Sequence, residues 1–140
     1  VELLPLAQHE GLAVVPYNAI GAGLLTGKYL RGETGRITET EMYRQRYDNE
    51  QYVEVTRRFV DYAQDKGVSP AALAVAWVMS HPVVTSTIVG ARNLEQFNDT
   101  LGCLDLRLSP EQRADITALS PDPPLATDRE PMDVFRKRGW

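Results

Sequence analysis

TSTIVGARNLEQFNDTL, residues 85–101, carries the reading of the fold. Its first half continues the β-branched run of residues 83–89, Val-Val-Thr-Ser-Thr-Ile-Val, the composition of a strand buried on both faces. Gly90-Ala91-Arg92 then turns the chain. Asn93, with Gln96 three residues on, has the pattern of a capped helix start, which predicts a helix over residues 94–101 and a stop at Gly102. A strand that hands its carboxyl end directly to a helix N-terminus is the unit of a parallel α/β fold.

A second such junction lies upstream. Residues 12–17, Leu-Ala-Val-Val-Pro-Tyr, predict another buried strand, with Pro16 placed at its end because proline cannot donate to a ladder. The preceding residues read as the end of a helix closed by Gly11, and Val1 has no cap, so the chain is expected to begin inside an element. Glycines and scattered arginines (Arg31, Arg36, Arg44, Arg46) fill the stretch from Asn18 to Tyr47, which predicts a long aperiodic loop. Asp48 with Gln51 signals the cap of an amphipathic helix with Tyr52, Val55, Phe59, Val60 and Ala63 on one face, ending at Gly67. Ser69-Pro70 opens a helix that is apolar nearly all round, and Ser109-Pro110-Glu111-Gln112 opens a last one to about Leu119. From Ser120 the chain is proline-rich and charged and predicts an extended tail, so the organisation expected is 1–119 and 120–140.

Composition bounds what such a chain does. Its 140 residues are 43% apolar and 24% charged, with a formal net charge of −4. No basic excess exists to neutralise phosphates, so neither nucleic acid nor an anionic membrane is an expected partner; the basic run Arg136-Lys137-Arg138 is too short to change that. A single cysteine suits a reducing, cytoplasmic setting. No stretch reaches the roughly 20 apolar residues of a membrane span, and the first residues lack the charged-then-apolar pattern of a secretory signal.

Two constellations could carry chemistry. At residues 87–96 a helix N-terminus and the backbone of Gly90 can face an anion, with Arg92 as a guanidinium clamp; the plainer reading is a short turn with a solvated arginine. At residues 17–28, Tyr17 offers a flat face to a ring and Lys28 a charge, against a core tyrosine and a solvated lysine. His9, His81 and Cys103 lack partners at metal-ligand or nucleophile spacing, so neither a metal site nor a catalytic residue is assigned.

Together the two stretches resemble the aldo-keto reductases. YNAIGAGLLTGKY, residues 17–29, is similar to that family's strand-seven segment, and residues 85–101 to its strand eight and following helix. The resemblance extends to about Leu119. It implies an NADP(H)-dependent oxidoreductase that reduces aldehydes or ketones on a (β/α)₈ TIM barrel, this chain supplying an incomplete, C-terminal part. It implies that Tyr17 stacks on the nicotinamide and that Asn18, Ala19, Ile20 and Gly21 line the pyrophosphate path. Lys28 would hold phosphate, with Arg36 or another loop arginine as a clamp. Gly90, Ala91 and Arg92 would hold the 2′-phosphate, and Gln96, Asp99 and Thr100 would follow the adenosine. Asn18-Ala19 stands where Ser-Pro is commoner, and Asp99 and Thr100 where Glu and Asn are usual. The family's Asp, Tyr, Lys and His catalytic group has no matching motif in this sequence. The alternatives are a non-catalytic NADP-binding or regulatory module, and a half-barrel that self-associates to cover exposed apolar faces.

Overall fold

The computed structural model describes residues 2–47 and 49–122. Seven α-helices occur among them: α1 (Leu3–His9), α2 (Arg36–Glu39), α3 (Glu41–Tyr47), α4 (Glu50–Asp65), α5 (Pro70–Met79), α6 (Leu94–Leu101) and α7 (Pro110–Thr117). Three 3₁₀ turns, Gly21–Thr26, Lys28–Arg31 and Gly102–Leu104, join them.

α5 is the centre. Its apolar residues leave no polar face, so Ala71 to Ala76 are all buried, and α4, α6 and the turns at 21–26 and 102–104 pack round it. Leu73 and Ala74 meet Phe59, Ala63 and Ile116 on one side, while Ala72, Val75 and Ala76 meet Cys103 on the other. Ser69 caps α5 by accepting from the N–H groups of Ala71 and Ala72, and Ser109 and Gln112 close a reciprocal box at the start of α7. α1 and α4 both end as the sequence predicts: Gly11 and Gly67 take the left-handed conformation, and the next residue donates back to Ala7 and Ala63 respectively.

The expected strands are reduced to a short parallel pairing. Among the described residues only two bridges join these segments, Val14 to Val84 and Tyr17 to Ile88. Three steps on one side therefore oppose four on the other, a bulge that the carbonyl of Val14 absorbs by accepting from both Thr85 (2.9 Å) and Ser86 (3.4 Å). The Thr85 hydroxyl takes the N–H of Val14 (3.1 Å). Pro16 lies inside the pairing rather than at its end, accepting from Ile88 without an N–H to return. Neither segment is buried as expected: Leu12 is 58% and Ile88 59% exposed. A parallel pair is buried only when layers cover both faces, and here one face stays open.

Further expectations are corrected. Residues 18–47 are not a structureless loop but a succession of short helical turns, punctuated by left-handed Asn18, Gly21, Ala22, Gly23, Gly27 and Gly32. The cap of α4 is Asn49, whose side chain accepts from the Gln51 N–H; Asp48 lies outside the described residues. Tyr52 is exposed, and Thr56 takes the buried position on that face of α4. Gly102 is right-handed and leads into the next turn, its small size letting α6 approach α5: a Cβ there would sit 3.4 Å from that of Ala72. The expected tail lies outside the described residues beyond Asp122, α7 ending at Thr117 rather than Leu119. Among the described residues no helix is long and apolar enough to cross a membrane.

Candidate functional site

The parallel pairing delivers both segments to one edge, where a cavity of about 290 Å³ opens. Tyr17, Asn18, Ala19 and Ile20 form one wall and Gly90, Ala91, Arg92, Gln96 and Thr100 the facing one, with Val75 of α5 between them. Lys28, Arg36, Tyr43 and Arg46 close the remaining side. The two constellations, some seventy residues apart in sequence, thus share one space.

The charge of that space is one-sided. Among the described residues, Lys28, Arg36, Arg46 and Arg92 line it and no carboxylate does, in a chain whose net charge is −4. Such a cluster, facing partly apolar walls, is a site for an anionic ligand with flat or apolar parts. The cations are held in different ways. Lys28 donates to the Thr34 carbonyl (3.0 Å) and lies 4.8 Å from the Tyr29 ring centre. Arg36 lies over Tyr43 at 5.9 Å. Arg92 is half exposed and meets Glu39 of α2 at 3.5 Å, at the edge of hydrogen-bonding range, so its guanidinium is available to a better partner. The other loop arginines point elsewhere: Arg31 pairs with Glu33, and Arg44 donates to the Thr38 carbonyl.

Neighbouring groups are fixed by the fold. Asn18, left-handed, accepts from the Ala22 N–H (2.7 Å) and donates to the Tyr47 hydroxyl (2.7 Å), so its amide shapes the wall. Asn93 accepts from the Gln96 N–H (2.9 Å), and Gln96 reaches back to the Arg92 N–H (3.2 Å). Two of the backbone donors expected to be free at this junction, those of Arg92 and Gln96, are therefore held within the protein. The Thr100 hydroxyl is committed to the Gln96 carbonyl (2.9 Å). Gly90 is neither left-handed nor packed, and a Cβ on it would meet nothing within 4 Å. Its lack of a side chain leaves room for a ligand against the backbone rather than serving the turn.

Of the thirteen residues singled out in the sequence, eleven line this cavity. Gly21 instead faces a second groove, and Asp99 lies on the exposed side of α6. Tyr17 is 75% exposed at the mouth, so it is not a core tyrosine. Tyr43 and Arg46 were not assigned individually from sequence, because only the folding back of α3 brings them to the wall. Tyr29, the last residue of the 17–29 motif, has a role that no local pattern signals: its hydroxyl donates to the Ala22 carbonyl and accepts from the Ile37 N–H, tying both ends of the 21–39 stretch. Among the described residues no group of three His, Cys, Asp or Glu side chains could hold a metal ion.

The sequence model of the Aldo/keto reductase family matches residues 1–121. The chain belongs to the aldo/keto reductase family. Relatives of this reductase segment include Protein tas of Escherichia coli (strain K12), 35% identical over 121 residues, covering 85% of this chain and 35% of that protein. The oxidoreductase YrpG of Bacillus subtilis (strain 168) is 33% identical over 124 residues, 88% of this chain and 36% of its own length. A protein of Oryza sativa subsp. japonica described as a probable voltage-gated potassium channel subunit beta is 34% identical over 135 residues, 91% of this chain and 41% of its length. The aldo/keto reductase segment thus spans about a third to two-fifths of these relatives.

Proposed function

We propose that these residues form the cofactor side of an NADP(H)-dependent oxidoreductase that reduces aldehydes or ketones on a (β/α)₈ barrel, of which they are a C-terminal part. The observation that carries the reading is the cavity lined, among the described residues, by four cations and no carboxylate, built where the two motif segments meet. The donor set suits a phosphorylated dinucleotide. Arg92 and the open backbone of Gly90 and Ala91 would hold the 2′-phosphate. Lys28, Arg36 and Arg46 would hold the pyrophosphate, and the exposed ring of Tyr17 would offer a face to the nicotinamide. Bound there, a reduced nicotinamide supplies the hydride that converts the carbonyl to an alcohol. The residues of this chain bind and orient. The proton for the carbonyl oxygen is assigned to groups outside these 140 residues, because none here matches the family's Asp, Tyr, Lys and His set. The single, buried Cys103 favours work in the cytoplasm.

Fluorescence titration with NADPH and NADH tests the reading. NADPH is expected to bind more tightly, and Arg92→Ala to weaken NADPH by roughly ten- to a hundredfold, the worth of one charge-assisted contact, with little effect on NADH. Added salt should weaken NADPH more than NADH. Equal affinity for both dinucleotides would refute the 2′-phosphate role of Arg92.

The name of the rice relative supports a second reading, a non-catalytic NADP-binding or regulatory module. Assay of the purified chain with NADPH and a simple aldehyde bears on both. Turnover that survives repurification would refute both the assignment of proton transfer to groups outside the chain and the non-catalytic module.

A further inference from the structure

The four cations of the cavity are not equally placed. Among the described residues, Lys28, Arg36 and Arg46 meet no carboxylate, whereas Arg92 meets Glu39, the last residue of α2, 53 positions away in the sequence. Glu39 does not line the cavity but stands against Arg92 from outside it. Local bonds fix it there. Its own N–H donates to the Gly35 carbonyl (2.8 Å), the buried Ile37 donates to the Tyr29 hydroxyl (3.2 Å), and Arg44 holds the Thr38 carbonyl (2.8 Å). Arg92 is anchored separately, its N–H donating to the Gln96 side chain (3.2 Å). The contact between the two side chains uses only Nη2 at 3.5 Å, and both are about half exposed, so it does little to orient the guanidinium. What Glu39 does supply is a negative charge beside the clamp.

We propose that Glu39 sets the dinucleotide preference of this cavity: its carboxylate lowers the affinity of Arg92 for a 2′-phosphate, so that the non-phosphorylated dinucleotide is accepted at the same site. Given Arg92 as the 2′-phosphate clamp, on which this assignment rests, the effect follows from the placement of charge. A guanidinium has five N–H donors, and Nη1 and Nε of Arg92 make no hydrogen bond among the described residues, so a phosphate can join it without expelling Glu39. That phosphate approaches a cation already part-neutralised and lies near a like charge. Both effects oppose a group carrying close to two negative charges. A ribose hydroxyl is neutral and meets neither penalty. Lys28, Arg36 and Arg46, assigned to the pyrophosphate that both dinucleotides share, do not discriminate between them. The choice therefore falls on the one cation that has a carboxylate at its back.

Glu39→Gln keeps the shape of the side chain and removes its charge. In fluorescence titrations it should tighten NADPH roughly three- to tenfold, the effect of one partly screened charge beside a dianion, and leave NADH unchanged. The fragments 2′,5′-ADP and 5′-AMP should repeat the contrast without the nicotinamide. In 1 M salt, where the screening length is about 3 Å, the gain should fall below about twofold. Glu33→Gln is the control, because it removes a charge paired with Arg31 (2.8 Å) away from the cavity and should leave the NADPH-to-NADH ratio as it was. An equal gain from Glu33→Gln would overturn the proposal by assigning the effect to net charge. Weaker NADPH binding by Glu39→Gln would overturn it too, since the carboxylate would then be a support for Arg92, and so would a gain that persists in 1 M salt. Arg92→Ala separates this proposal from the reading beneath it. If that variant loses NADPH affinity while Glu39→Gln gains none, the role of Glu39 falls and that of Arg92 stands. Unchanged affinity in Arg92→Ala would refute both.

Discussion

Arg113 shows how a single side chain can join two helices. Its Nη1 donates to the Trp77 carbonyl (2.6 Å) and to the Ser80 hydroxyl (2.7 Å), and its guanidinium lies 5.1 Å from the Trp77 ring centre. A positive charge thereby satisfies the carboxyl end of α5 from the first turns of α7. Arg113→Ala should cost about 1.5–3 kcal/mol in urea denaturation, the range for a hydrogen bond to a charged group. Arg113→Lys should recover less than half, because an ammonium supplies neither the planar fork nor the stacked face. Cys103 is the contrasting case. Burial raises its pKa above the usual 9.0, with the nearby Asp105 carboxylate acting in the same direction. Its thiol is therefore protonated at neutral pH and a poor nucleophile. Alkylation by iodoacetamide at pH 8 should lag far behind that of a cysteine peptide and reach the peptide's rate only in denaturant. Because the folded pKa is the higher one, this group's contribution to stability is fully present below the ordinary thiol value of 9.0 and declines as pH rises through the folded value. Cys103→Ala should flatten that alkaline decline.

Among the elements, the turns around the cofactor-side loop depend on backbone that only certain residues accept. Gly27 separates two 3₁₀ turns at φ 74°, and a Cβ there would sit 2.9 Å from Cγ2 of the buried Val60. Gly32 has nearly the same φ, 77°, but open space beside it. Gly32→Ala should therefore cost only the left-handed penalty, about 1–2 kcal/mol. Gly27→Ala should cost roughly 1–3 kcal/mol more from overpacking, read as a lower urea midpoint at unchanged slope. This region also marks the limit of what the sequence discloses. α4, α5, α6 and α7 are legible because local signals define them: Ser69-Pro70, Asn93 with Gln96, Ser109-Pro110 with Gln112, and Gly67 as a stop. The turns of residues 18–47 are held instead by bonds between distant residues, Tyr29 to Ala22 and Ile37, and Asn18 to Tyr47, which leave no periodicity to read. For the same reason Arg92 and Lys28 are visible as candidates from their motifs, while Tyr43 and Arg46 become visible only once α3 has folded back onto the cavity.

At the scale of the whole molecule, the buried residues and the exposed ones point to different requirements. α5 and its neighbours form a closed core, but Leu3 and Leu6, three residues apart on one side of α1, are 76% and 52% exposed, and Leu12 after that helix and Val15 and Ile88 in the parallel pairing are exposed as well. A parallel pair with one uncovered face leaves both apolar area and unpaired backbone edge in water, the conditions under which chains associate. In the relatives, the matching segment is about a third to two-fifths of the protein, and the barrel proposed above would set further strands and helices against such a face. We propose that the chain on its own self-associates through exposed leucines, Leu3, Leu6 and Leu12 among them. Sedimentation velocity should show a weight-average mass that rises with concentration. The double substitution Leu6→Lys, Leu12→Lys should return it to the monomer, since both positions are exposed and neither belongs to the α5 core. Circular dichroism of the variant should keep the helical signal, which separates lost association from lost folding. A wild-type chain that stays monomeric at high concentration would show that the exposed face is tolerated in water and needs no covering layer.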